Sequence, residues 1–164
     1  MGIGGFLNKF LGKKSDRDIK EIWPIVESVK EEYENITKLS NDELRAKTED
    51  LKAQIVDFVK EEENEKVVLK TKAESDETDI VEREDIYREI DKLDEKILSK
   101  IEEKLNDILP TAFSIVKETA KRFNDNETIE VTANDFDKKL AAKKENVVIK
   151  GDKAIYKNKW IAGG

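Results

Sequence analysis

Ile86, Ile90, Leu93, Ile97, Ile101, Leu105 and Ile108 follow one another at steps of four, three, four, four, four and three. Strands repeat every second residue and helices about every 3.6, so the spacing predicts one long helix from Ile80 to Leu109. Its apolar stripe has to be covered by something. A coiled coil is the plainest arrangement, although the pattern drifts from strict heptads. Covering material is scarce, because 42% of the 164 residues are charged and only 37% are hydrophobic. Long solvated helices around a small core suit that composition better than a compact enzyme.

A second helix announces its own start. In LSNDELRAKTEDLKAQI, residues 39–55, Ser40 and Glu43 have capping-box spacing, and Leu39 and Leu44 are placed for a hydrophobic staple. Leu44, Leu51, Ile55 and Phe58 would form its buried face. That is a thin stripe, so the helix should lie on a surface and not inside a core.

The charge is unevenly spread. Residues 1–15 carry Lys9, Lys13 and Lys14 and no acid, whereas residues 61–107 carry 18 acids and nine bases. Residues 108–164 return to 11 bases and eight acids. In the front segment, Ile3, Phe6, Leu7, Phe10 and Leu11 have helical spacing, with the lysines toward the C-terminal end of that face. The run is too short and interrupted for a transmembrane span, and charges that follow the apolar patch do not make a secretion signal. Phe6, Leu7, Lys9, Phe10, Leu11, Lys13 and Lys14 are therefore the candidate membrane- or channel-binding residues, a reversible amphipathic anchor for anionic lipid. A frayed end packing loosely on the domain is the plainer alternative. GKKS at 12–15 is not a phosphate loop: Leu7 stands where its first glycine belongs and Lys14 where its Ser or Thr belongs.

Ser15 or Asp16 can cap a further helix that carries an apolar stripe through Trp23 to Ile36, with Pro24 expected to kink it. Residues 61–79 have no sustained period and read as a loop or frayed acidic linker or insertion, with helix at most at its ends. Pro110 suits the first turn of a new helix, with Leu109, Ala112, Phe113, Val116, Ala120 and Phe123 as its stripe, by pattern the best-packed helix of the chain. From Glu127 the period changes to that of strands. TIEVT alternates, and NVVIKGDKAIYKNKW is two strand-like runs around Gly151-Asp152, a type II′ hairpin signal. NDFDKKLAAKK between them reads as a short helix, and IAGG after Trp160 looks interrupted. The expected class is mainly α with a small β element (α+β), long antiparallel helices plus a C-terminal hairpin or small sheet. Three regions follow: 1–14 amphipathic and basic, 15–123 helical, and 124–164 small and β-containing.

Chemistry is limited by what is missing. The chain has no His and no Cys, which removes disulfides, imidazole catalysis and the usual zinc ligands, and its net charge of -7 argues against nucleic acid as a partner. Acidic pairs are numerous, but on charged helices they make solvated faces. Catalytic, cofactor-binding and metal-binding residues are therefore each expected to be none.

Two stretches read together carry a resemblance. LSNDELRAKTEDLKAQI followed by ILPTAFSIVKETAKRF, residues 108–123, resembles the N-terminus of the SecA family, the ATP-driven motors of bacterial preprotein translocation. The matching positions are Leu39, Asp42, Glu43, Leu44, Lys47, Thr48 and Leu51, then Leu109, Pro110, Ala112, Phe113, Val116, Glu118, Ala120 and Arg122. The resemblance covers residues 1 to about 123; the acidic stretch and the tail look like insertions of the Bacteroidetes type. It implies that these helices pack on a nucleotide-binding core lying beyond Gly164, so that the partner of the 40–55 helix is outside the chain. It also implies ATP and magnesium in the parent protein but none here, no catalysis by this stretch alone, and a place on the cytoplasmic face of the inner membrane. The implied partners are the SecYEG channel, anionic phospholipid and preprotein, with a possible homodimer. Two other readings stand beside it: a free-standing scaffold that self-associates through the Ile86–Ile108 stripe, and a peripheral membrane adaptor.

Overall fold

The computed structural model describes the backbone of residues 4–159 and the side chains of 16–159. Among the described residues, five helices and three strands follow in the order α1 (Gly4–Ile36), α2 (Asn41–Phe58), α3 (Lys60–Ala73), α4 (Ile80–Asp125), β1 (Thr128–Thr132), α5 (Asp135–Ala141), β2 (Val147–Lys150) and β3 (Lys153–Lys157). Mainly α with a small antiparallel sheet is the observed class. The chain forms two compact units, Met1–Arg45 with Pro110–Gly164, and Ala46–Leu109.

Two helix starts expected from local signals do not occur: α1 runs through Gly12–Ser15, and α4 continues through Pro110 instead of restarting there. α1 also continues across Pro24, as its stripe does. A proline inside a helix removes one hydrogen bond and costs about 3 kcal/mol, which packing along a long helix can offset. Both prolines have a serine four residues on: Ser28 Oγ donates to Pro24 O at 3.1 Å, and Ser114 Oγ to Pro110 O at 2.8 Å. The third correction concerns residues 61–79, where α3 occupies most of the expected linker and only a short turn remains. Its period was hidden because α3 turns charged side chains inward.

In the Ala46–Leu109 unit, α3 and α4 form an antiparallel hairpin. Its cross-links run down the pair in opposite directions: Lys72 with Glu82, Lys66 with Asp94, and Glu62 with Lys96 and Lys100. Ala73, Ile86 and Ile90 are buried together with Leu69 against them. Leu93, Ile97 and Ile108 are buried as well, so most of the predicted stripe is covered; Ile101 is half-buried and Leu105 faces solvent. The turn is held by Thr78 Oγ1 donating to Lys72 O at 2.6 Å and by Arg83 donating to Ser75 O and Thr78 O. Asp79 caps α4 by accepting from the Glu82 amide at 2.9 Å.

The other unit places α1 beside the end of α4. Ser114 Oγ also reaches Val29 O at 3.0 Å and Tyr33 Oη donates to Glu118 at 2.9 Å, so partners advance together and the two helices run in the same direction here. The sheet has the order β1-β3-β2, with both pairings antiparallel. Lys150 pairs with Lys153, leaving Gly151-Asp152 as a two-residue loop. Gly151 has φ +60 and, among the described residues, no non-glycine residue has positive φ, the pattern of a type II′ turn. One sheet face is core, with Val131, Val147 and Ala154 buried.

Candidate functional site

The predicted anchor residues Phe6, Leu7, Lys9, Phe10, Leu11, Lys13 and Lys14 have side chains outside the described residues, as does the end of the chain from Trp160. What the structure places on view is a polar clasp that joins the start of α2 to the sheet, α5 and α4.

Its local origin is the capping box. Glu43 N–H donates to Ser40 Oγ at 3.3 Å and Ser40 N–H to Glu43 Oε2 at 2.7 Å, which fixes the first turn of α2. That turn then presents three polar side chains to the open edge of β1. Asn41 Nδ2 donates to Glu130 O at 3.0 Å, the Thr132 amide and hydroxyl both donate to Asp42 at 2.7 Å, and Arg45 donates to Thr132 O at 3.1 Å. These bonds do for β1 part of what another strand would, and they blunt an edge that could pair with a foreign chain. The partner of this helix turn is therefore inside the chain. For this first turn alone the expectation of a partner beyond Gly164 is corrected; Leu44 and Leu51 are both buried.

Asp137 is the centre of the clasp. It is 0% exposed and accepts from Arg45 Nη1 at 3.0 Å, Arg45 Nη2 at 2.6 Å, the Asn134 amide at 2.9 Å, and Tyr156 Oη. Asn134 accepts in return from the Asp137 amide, completing a capping box on α5. Burial pushes the Asp137 carboxyl up, but the hydrogen bonds from Tyr156, Arg45 and Asn134 outweigh it and hold it below its ordinary value. Burial and the adjacent Asp137 carboxylate together push the Tyr156 phenol up to about 12. A carboxylate with four donors has no lone pair left for proton transfer to a substrate. Its chemistry here is structural.

A second knot repeats the logic on α4. Arg122 donates to Glu118 at 2.8 Å, to Asn41 Oδ1 at 2.8 Å and to Leu39 O at 2.6 Å, so one guanidinium ties α4 to the loop before α2. Burial raises the Glu118 carboxyl, yet Arg122 and Tyr33 hold it below the usual carboxylate range. This knot reverses the predicted face of the helix. Ser114 and Glu118 are 0% and 5% exposed, while Phe113 and Val116 are 56% and 66% exposed. The stripe read as the best-packed in the chain lies largely outside, because the hydroxyl and carboxylate find partners on α1 and α4 and the apolar pair finds none. On α1, Ile19, Ile22 and Trp23 are exposed too.

The sequence pattern marks Glu118 and Arg122 only as motif positions, and Arg45 and Asp137 not at all. The i, i+4 spacing of Glu118 and Arg122, and the Asn134-x-x-Asp137 cap, were the local signals available. Among the described residues no group of acidic side chains is arranged to hold a metal ion. No helix among them is long and apolar enough to cross a membrane.

These features define a helical module clasped onto a small sheet, with exposed apolar positions on two of its helices. The model described as the SecA DEAD-like domain matches residues 7–143. The whole chain is 50% identical to the protein translocase subunit SecA of Phocaeicola vulgatus, 47% to that of Porphyromonas gingivalis and 49% to that of Bacteroides fragilis. The chain thus belongs to the SecA DEAD-like domain family. It spans about 15% of the length of these relatives. No solved structure matches it.

Proposed function

We propose that this chain is the N-terminal part of a protein translocase subunit that couples ATP hydrolysis to the movement of preproteins through the SecYEG channel. What carries the reading is the identity of 45–50% over nearly all of the chain to proteins named as that subunit. ATP and magnesium would be held by the much longer remainder seen in the relatives, with this stretch serving as scaffold and docking element. The exposed Ile19, Ile22, Trp23, Phe113 and Val116 are suited to receive that remainder, since apolar patches of this kind mark interfaces.

The front segment would be the membrane contact. Phe6, Leu7, Phe10 and Leu11 would enter the lipid boundary, while Lys9, Lys13 and Lys14 would meet anionic headgroups at about 1 kcal/mol each. Binding of that size is reversible, as a cycling motor on the cytoplasmic face of the inner membrane requires. Vesicle flotation tests it. The chain should float with anionic vesicles and less with neutral ones, and lose the preference when residues 1–14 are deleted. Unchanged flotation of the deletion variant would remove the membrane role while leaving the family assignment intact.

A further inference from the structure

The α3–α4 hairpin inverts the usual arrangement of a surface helix. The inner face of α3 carries Glu62, Lys66, Leu69 and Ala73, two of them charged and held by ion pairs to α4. Val67 and Val68 point the other way, 60% and 68% exposed. They line an open groove with Thr71, Lys72, Ser75, Glu77, Thr78 and Glu82 near the tip of the hairpin. Nothing within this unit explains two adjacent valines in water, and an apolar groove with a polar rim marks a docking surface.

The rim selects the partner. The turn that supplies Ser75, Glu77 and Thr78 to the groove, residues 74–79, contains four acids and no base. The two bases that follow it are engaged: Arg83 donates to the turn carbonyls, and Arg88 pairs with Asp85 and Glu84. Lys72 is paired with Glu82. Glu74, Asp76 and Glu77, by contrast, form no ion pair among the described residues. Such a rim repels anionic lipid and nucleic acid, both of which need cations, and it repels a second acidic hairpin. We infer that the groove docks a basic amphipathic segment of another protein, apolar side chains over Val67 and Val68 and lysines or arginines against Glu74, Asp76 and Glu77. This rests on the hairpin itself and is independent of the translocase reading.

The test titrates the 164-residue chain, isotope-labelled for NMR, with a short leucine–lysine peptide patterned as an amphipathic helix. Shifts should gather at Val67, Val68, Thr71, Ser75 and Thr78, and binding should weaken with salt. Replacing Val67 and Val68 together by serine should weaken it about tenfold, the contribution of one well-buried aliphatic side chain. The triple variant Glu74→Gln, Asp76→Asn, Glu77→Gln should weaken binding and flatten its salt dependence. Both variants should keep the parent thermal unfolding curve, because the altered side chains lie on the surface. Equal affinity for a lysine–serine peptide of the same charge would overturn the inference, as would shifts centred elsewhere. Self-association through the same residues without peptide would also overturn it, in favour of a second copy as occupant.

Discussion

Replacing Asp137 by alanine should unfold the sheet-bearing unit far more readily than any nearby surface change. The carboxylate is fully buried and accepts from Arg45 through both guanidinium nitrogens, from Tyr156 and from the Asn134 amide. Its removal leaves a phenol, a backbone N–H and part of a guanidinium without acceptors. Breaking a buried ion pair from one side costs about 3–5 kcal/mol, and loss of the reciprocal cap is contained within that figure. Tyr156→Phe removes one hydrogen bond to a charged group and should cost about 2 kcal/mol. Urea unfolding followed by far-UV circular dichroism supplies the two numbers, and amide exchange locates the loss. β1, α5 and β3 should lose protection first, with the α3–α4 hairpin unaffected. A loss below about 1 kcal/mol for Asp137→Ala, against the size expected for a buried pair, would refute the clasp as the main support of the sheet. Equal losses for the two variants would show instead that Arg45 contributes nothing.

Other outcomes can be checked alongside. The raised Tyr156 pKa makes its contribution complete below pH 10.0, and that contribution should be lost as pH rises through about 12; Tyr156→Phe should remove this alkaline limb from the stability–pH profile. Asp137 gives the opposite limb, present above 3.8 and lost as pH falls, which a titration of β3 amide shifts will follow. In the hairpin, Lys100 and Lys96 lower Glu62 from 4.5 to about 2, so hairpin protection should decline across that interval, and Glu62→Gln should abolish the decline. Ser114→Ala, which removes a fully buried hydroxyl shared between Pro110 O and Val29 O, should cost about 1 kcal/mol in urea. Gly151→Ala meets no atom within 4 Å, so its penalty is the positive φ alone, about 1 kcal/mol, and Gly151→Asn should recover part of it.

Local features were the legible ones. The Ser40–Glu43 box, the Gly151-Asp152 turn and the isoleucine spacing of α4 all depend on residues within about one turn of each other, and the structure has all three. The family resemblance rested on the same kind of information, ordered side chains on two helices, and residues 7–143 bear it out. Where the reading failed, a distant partner had decided the matter. Pro110 looked like a start because a proline removes a hydrogen bond wherever it stands, but α1 lies alongside and Ser114 reaches both Pro110 and Val29.

The amino-acid order by itself determined where α2 begins, where the β2–β3 hairpin turns, the period of α4 up to Leu109, and the family to which the chain belongs. The tertiary structure alone decided which face of α4 beyond Pro110 is buried and which charged side chains turn inward. Phe113 and Val116 lie outside while Ser114 and Glu118 lie inside, because a buried polar group is stable only where its partners converge, and Val29, Tyr33 and Arg122 converge there. Likewise Asp137 became the keystone of the sheet through Arg45, which lies 92 residues away in the chain. No periodicity spans such a distance, since hydrophobic spacing records only what a residue does with its near neighbours.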